Sequence, residues 1–205
     1  MSAPSLHLAS SSPRRHEILT ALGLSFSAAG VDIDERRLEG ETPDVMVLRL
    51  ASAKASAATD RNAQLVLGAD TAVVLGDLVF GKPRDMDDAL NMLAKLSGRT
   101  HQVMTGVALC RGADLQTALS VTEVKFREIC PDEALSYWQS GEPCDKAGAY
   151  AIQGRGGVFV EAIVGSYSGV VGLPVFETAR LLREAGLETL IEGHHDLVSG
   201  AATIE

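Results

Sequence analysis

The stretch Val66-Leu67-Gly68-Ala69-Asp70-Thr71-Ala72-Val73-Val74-Leu75 constrains the fold most, because it is a strongly apolar run with one acid in its middle. Apolar and β-branched residues at 66–67 and 72–75, without proline, are what a buried strand requires. A carboxylate inside such a strand is costly unless it is paired, metal-bound or set at an opening. Two readings of Asp70 therefore stand side by side: a strand-end turn in which it caps backbone N–H groups, or part of a site. Shortly downstream, Gly81-Lys82-Pro83-Arg84-Asp85 is a basic turn leading into a helix. An isolated acid followed by a basic turn suggests a place that handles a metal and a polyanion.

The chain is large enough to bury such a strand. Its 205 residues are 46% apolar, which suits one large domain or two closely packed lobes. No apolar run reaches the length of a membrane span, and no basic region followed by a long apolar segment opens the sequence. No membrane partner is expected. Cys110, Cys130 and Cys144 are far apart and form no CxxC pair, so neither a disulfide framework nor a zinc site is indicated. A reducing cytoplasm is the expected home. The net charge of −9 disfavours nucleic acid as a partner, since sequence-independent binding needs a basic face. Lysines are scarce: Lys54, Lys82, Lys95, Lys125 and Lys146. A small cationic pocket in an acidic protein fits a compact anion better than a long duplex.

Around the central stretch, residues 5–10 alternate as a strand and deliver Ser10-Ser11-Ser12-Pro13-Arg14-Arg15 into a helix. Ser12 suits the N-cap and Pro13 the first helical position, and Gly23 ends the helix. Such a helix start presents free N–H groups and the positive end of the macrodipole. Two arginines there are unfavourable unless an anion binds, and guanidinium groups grip phosphate oxygens in a bidentate way. The alternative is a capped helix with solvated arginines. Asp32-Ile33-Asp34-Glu35-Arg36-Arg37 reads by default as a solvated charge run. Asp44 is expected to cap a helix running to about Ala58, with Lys54 inside its apolar arc rather than opposite it. A lysine there snorkels or points into a cleft.

Gly76-Asp77 marks a hairpin turn with a short return strand over 78–80. Asp85 caps a helix over 86–96. Residues 101–110 and 115–128 read as a long antiparallel hairpin with one wet face. A helix over 131–140 holds Trp138, the chain's one tryptophan. Residues 141–172 are glycine-rich and irregular apart from a strand over 157–164, and Pro174 opens a last long helix. The tail beyond about 192, with His194-His195, is expected to be poorly ordered. The mix of strands and helices around a central hairpin argues α/β or α+β with a mixed sheet.

Brought together, the serine-rich helix start with Arg14 and Arg15, Glu35, Lys54, and the Asp70 and Lys82 pair would set two carboxylates against four cations. Carboxylates are hard ligands for Mg²⁺, which usually takes one or two of them plus water. The cations would neutralise phosphate oxygens. That equipment suits hydrolysis of a phosphoanhydride, with a carboxylate taking the proton of the attacking water. There is no GxxxxGK[ST] loop and no GxSxG elbow, so neither a P-loop enzyme nor a serine hydrolase is indicated.

Five blocks carry a resemblance: Ser10-Ser11-Ser12-Pro13-Arg14-Arg15, Gly68-Ala69-Asp70-Thr71, Lys82-Pro83-Arg84-Asp85, Ser97-Gly98-Arg99-Thr100-His101 and Val171-Gly172-Leu173-Pro174. In this order, over about residues 5–186, they resemble the signature blocks of the Maf family of nucleoside triphosphate pyrophosphatases. The resemblance implies an elongated α/β fold with a mixed central sheet and a deep cleft, similar to inosine triphosphate pyrophosphatases. It implies a single domain over residues 1–190, in two closely packed lobes, followed by the tail 191–205. It also implies hydrolysis of a nucleotide to its monophosphate and pyrophosphate, a divalent cation (Mg²⁺ or Mn²⁺) and a homodimer.

Residue by residue, Asp70 matches the family's proton acceptor and, with Glu35, its metal-handling positions. Ser10, Arg15, Lys54 and Lys82 match positions that handle phosphate, and Arg14, Thr71 and Gln153 match those linked to base choice. The block Asp145-Lys146-Ala147-Gly148-Ala149-Tyr150…Gln153-Gly154 resembles the branch acting on dTTP and UTP. A glutamine amide offers both donor and acceptor to the O4/N3–H edge of a pyrimidine. The competing expectations are a pyrophosphatase for 7-methyl-GTP or another modified nucleotide, and a non-catalytic nucleotide-binding regulator of septum formation.

Overall fold

The computed structural model describes residues 5–58 and 65–189. The tail over 191–205 lies outside the described residues. The apolar run around Asp70 becomes one long strand, β3 (Leu65–Leu75), as its β-branched and apolar composition dictates. Before it lie β1 (Leu6–Leu8), α1 (Pro13–Ala21), β2 (Phe26–Ala28) and α2 (Pro43–Ala57). After it come β4 (Leu78–Phe80), α3 (Met86–Leu96), the hairpin β5 (Thr100–Arg111) and β6 (Asp114–Phe126), and α4 (Pro131–Gln139). Three one-turn helices over Glu142–Asp145, Ala147–Ala149 and Arg155–Phe159 then lead to β7 (Val160–Val164), α5 (Tyr167–Val171) and α6 (Val175–Glu184).

The strands join one mixed sheet in the order β2-β1-β3-β5-β6-β7, with β4 paired to β3 off that path. The mixed α/β class expected from the sequence is therefore observed. β1 pairs in parallel with β2 and β3, whereas β3, β5, β6 and β7 run antiparallel in succession.

Side chains alternate across a sheet, and β3 buries both faces. Leu65, Leu67 and Ala69 pack on one face with Leu19 of α1 and Leu181 and Leu182 of α6. Further along that face, Val73, Val103, Val124 and Phe126 pack against Leu93 of α3 and Tyr137 of α4. On the other face, Val66 and Ala108 meet Ala51 and Ala55 of α2, and Ala72 and Val74 meet Val47 and Leu50. That contact is unusually close. A Cβ on Gly68 would lie 2.3 Å from the Ala51 carbonyl oxygen, and one on Gly106 would lie 2.5 Å from that of Val47. Two glycines therefore cut the slot that seats α2, and with it Lys54.

The pairing of β3 leaves a gap. One edge of β3 pairs with β5 over residues 66–74. The other edge pairs with β1 at residues 65–67 and with β4 at residues 73–75. Between those partners, residues 68–72 have strand neighbours on one side only among the described residues, and Asp70 and Thr71 sit in that opening. This resolves the two readings of the awkward acid: the run is a core strand, and its carboxylate lies where the sheet edge opens.

Some local expectations differ in detail. The N-cap of α2 is Thr42, with Pro43 at the first helical position and Asp44 within the first turn. Ser12 is the N-cap of α1 but makes no side-chain cap bond. Instead the Ser10 hydroxyl accepts from the Ser12 N–H at 3.2 Å. Asp85 caps α3 as expected, accepting from the Asp88 N–H. The strand expected over 157–164 begins only at Val160, because Arg155–Phe159 forms a one-turn helix.

Candidate functional site

A strand–loop–helix unit, β1 into α1, builds the first part of the site. Proline at the first helical position sets the turn, and the loop before it places Ser10, buried, beside Arg15. The Arg15 guanidinium spans the opening. It donates from Nε to the Gly172 carbonyl at 2.8 Å, from Nη1 to Ser10 Oγ at 3.2 Å and from Nη2 to Thr71 Oγ1 at 3.4 Å. The arginine of the first turn is thus tied into the wall rather than solvated. Burial lowers its pKa from the ordinary arginine value, partly offset by the charge of Asp70. Thr71 is fixed further by a 3.0 Å contact with Thr105 Oγ1, which itself donates to the Gly169 carbonyl at 2.8 Å.

Because neighbours on a strand point to opposite faces, Thr71 turns toward α1 and Asp70 turns toward α2. There Lys54 Nζ lies 2.7 Å from Asp70 Oδ1 and 2.6 Å from Glu35 Oε1. Lys54 is buried, as its place in the apolar arc requires, and its charge bridges the two carboxylates. Burial pushes the Asp70 carboxyl above the ordinary aspartate range; Lys54 and Arg15 pull it back, and the nearby Glu35 charge adds to the rise. For Glu35 burial also opposes ionisation, but the Lys54 bond, with Lys82 and Arg15 behind it, holds its pKa below the ordinary glutamate value. The two carboxylates share one cation yet shift in opposite directions, because Asp70 is much the more deeply buried.

The charge run over 32–37 is only partly the solvated surface that its composition suggests. Asp34 and Arg36 form an exposed pair at 2.7 Å. Glu35, however, reaches in to Lys54, and its loop is pinned. Buried Glu41 accepts from Arg49 Nε at 2.6 Å and from the Leu38 N–H at 3.0 Å, while Arg49 Nη2 donates to the Arg36 carbonyl at 3.1 Å. The Arg49 bond drives the Glu41 pKa down to about 2.

The structure brings Ser10, Arg14, Arg15, Glu35, Lys54, Asp70, Thr71, Lys82 and Gln153 onto the wall of one cavity of about 780 Å³. Such a volume lies in the range of small-molecule sites. Every residue singled out from the sequence is therefore present, from segments far apart in the chain. Sequence reasoning missed Glu142 as part of this wall, and it did not assign a role to Tyr150. Arg14 is half-buried, and burial lowers its pKa against the charges of Asp145, Glu17 and Glu142. The glycines around Gln153 were the available signal that a polar group packs closely there.

Chemically, the cavity wall sets carboxylates and a cation in alternation, with Lys54 between Glu35 and Asp70. Among the described residues no group of three or more His, Cys, Asp or Glu side chains converges as a metal cage. The two carboxylates on Lys54 are hard oxygen donors meeting at one cationic position. Such donors are the type a divalent ion takes, together with water and substrate oxygens. Among the described residues no helix is long and apolar enough to cross a membrane.

A protein described as dTTP/UTP pyrophosphatase from Methylococcus capsulatus is 50% identical over 199 residues, covering 96% of both chains. Another of the same description, from Anaeromyxobacter dehalogenans, is 54% identical over 188 residues, covering 90% of this chain and 95% of that one. Among solved structures, the Staphylococcus aureus Ham1 protein overlaps with a TM-score of 0.41 at 18% identity, over 62% of this chain and 72% of that one. The family model for Maf-like proteins matches residues 5–185, and with the two relatives at 50% and 54% identity it shows that the chain belongs to the Maf-like family.

Proposed function

We propose that this protein is a nucleoside triphosphate pyrophosphatase that hydrolyses dTTP and UTP to the monophosphate and pyrophosphate. The carrying observation is the Asp70–Lys54–Glu35 chain in the opening of the sheet, beside the arginine-bearing start of α1. In this reading Arg15, Ser10, Lys54 and Lys82 hold the triphosphate oxygens, with Arg15 preset in the wall by the Gly172 carbonyl. Asp70 accepts the proton of a water whose oxygen bonds to the α-phosphorus as the bond to the bridging oxygen breaks and pyrophosphate leaves. Its raised pKa suits that task, because a base with a pKa nearer the working pH accepts a proton more readily. Lys54 keeps Asp70 oriented and restrains its pKa. Asp70 and Glu35 would hold a divalent cation, which when bound supplies Lewis-acid polarisation of the phosphate. Arg14, Thr71 and Gln153 face the base, and the glutamine amide matches the O4/N3–H edge of thymine or uracil.

The family kinship also leads us to propose a cytoplasmic homodimer in which residues 1–190 unfold as one domain. Light scattering and a single melting transition are the expected readings. The function is tested by incubating the protein with a panel of nucleotides, with and without Mg²⁺, and identifying the products. Release of pyrophosphate with dTMP or UMP, dependent on the cation, is expected. Preference for 7-methyl-GTP, or tight binding of nucleotide without product, would overturn the reading in favour of a modified-nucleotide enzyme or a sensing protein.

A further inference from the structure

We propose that Tyr137 and Glu142 are positioning residues that hold the Gln153 turn in the shape needed for base selection, an inference that rests on the proposed function. Gln153 lies in a tight turn closed by the Gly154 N–H donating to the Ala151 carbonyl at 3.3 Å. Such a turn, between two one-turn helices, has little regular hydrogen bonding of its own. Two side chains supply it from outside. The Tyr137 hydroxyl accepts from the Ala151 N–H at 3.0 Å, two residues before Gln153. The Glu142 carboxylate accepts from the Arg155 N–H at 2.9 Å and the Gly156 N–H at 3.0 Å, just after it. The two are linked, since Tyr137 donates to Glu142 Oε1 at 2.7 Å.

The clamp is anchored and closely fitted. Tyr137 is buried in α4, and its ring packs edge-on against Phe159 at 5.2 Å. A Cβ on Gly154 would lie 2.2 Å from Glu142 Oε2, so the carboxylate fills the space that any other residue at 154 would need. Burial opposes ionisation of Glu142, but the N–H groups of Gly156 and Arg155 and the Tyr137 hydroxyl keep its pKa below the ordinary glutamate value. The clamp therefore stays charged at neutral pH. Both Glu142 oxygens are engaged by the protein, so its part in recognition passes through the turn. A recognition group on an unsupported loop must be ordered by the ligand at a cost in affinity, whereas one held by a supporting shell is preorganised.

The test compares kcat/KM for dTTP and 5-methyl-dCTP, which differ only at the base edge that a glutamine amide reads. Wild type, Tyr137→Phe, Glu142→Gln, Gln153→Ala and the double variant Glu142→Gln/Gln153→Ala are assayed by pyrophosphate release. Glu142→Gln is expected to lower the dTTP preference by roughly tenfold, the scale of one well-placed hydrogen bond. Tyr137→Phe, which keeps the ring and its packing, is expected to lower it by about threefold. In the Gln153→Ala background, Glu142→Gln should lower the preference no further. An unchanged preference in both single variants overturns the clamp, and so does an equal further loss in the Gln153→Ala background. A wild-type protein with no turnover of dTTP overturns the proposed function instead, and the clamp's role falls with it.

Discussion

The two walls of the cleft are built from different materials. The wall holding Asp70 stands on regular elements: the open edge of β3, the start of α1 and the buried face of α2. Its contacts run between charged groups, Asp70 with Lys54 and Lys54 with Glu35. The wall holding Gln153 is a chain of one-turn helices and turns, and one carboxylate gathers its backbone N–H groups. Buried charge is expensive unless its partners are fixed, so a phosphate-handling wall needs a rigid frame. Reading a base edge needs shape and neutral donors, which a turn can present if something holds it. The comparison predicts that damage to the first wall costs catalysis and stability, whereas damage to the second costs discrimination.

The largest effect is expected from Asp70→Asn. Losing a general base typically costs about 10²–10⁴-fold in rate, and the fold should survive because the amide keeps the side chain's shape. Steady-state pyrophosphate release and a melting curve measure both. Turnover at the wild-type rate would remove Asp70 from the mechanism.

Next is the slot beneath α2. Gly106→Ala places a methyl group 2.5 Å from the Val47 carbonyl, where backbone rather than a flexible side chain must yield. Overpacking of this kind costs about 1–3 kcal/mol. Because α2 carries Lys54, turnover should fall together with the melting temperature. A variant with normal stability and normal kcat would show that the seat of α2 does not set the Asp70–Lys54 contact.

The pH dependence separates the carboxylates within the first wall. Asp70 must be ionised to accept a proton, and its pKa lies above the ordinary value of 3.8. The acidic limb of the kcat/KM profile, which reports the free enzyme, should therefore lie above that value. Lys54→Met removes the largest restraint on the rise and should move the limb further up. For stability, the raised Asp70 pKa means that the folded chain binds this proton more tightly than the unfolded chain. Its contribution to stability therefore falls as pH rises from 3.8 through the raised value. Glu35, with a lowered pKa, contributes stability above the ordinary glutamate value of 4.5 and loses it as pH falls through the folded value. A kcat/KM limb unmoved by Lys54→Met would break the link between the ion pair and the base.

The smallest effect belongs to the second wall. Gln153→Ala is expected to lower kcat/KM for dTTP by about tenfold or less, the scale of a net hydrogen bond or two, with little change in melting temperature. A loss as large as that of Asp70→Asn would mean that the two walls do not divide the work as proposed.

Much of this molecule is local in origin and so was legible from the chain alone. Alternation and β-branching delimit β3 and the β5–β6 hairpin, Asp85 caps α3, and the apolar arc of α2 already contains Lys54. The motifs also name the residues that line the cavity. What they could not supply is direction and distance. That Asp70 and Thr71 face opposite sides of the sheet, toward α2 and α1, follows only once the partners of β3 are known. The opening at residues 68–72 exists because β1 ends early and β4 begins late along one edge, a matter of register between separate strands. Arg15 is held by the carbonyl of Gly172, 157 residues away, and no short-range pattern encodes such a bond. Glu142 and Tyr137 carried no motif, because their role is to satisfy the backbone of a distant turn. Sequence determined the elements and their chemistry, since propensity and periodicity act between near neighbours. Tertiary structure decided which charges meet and where the sheet opens, since those depend on contacts between segments far apart in the chain.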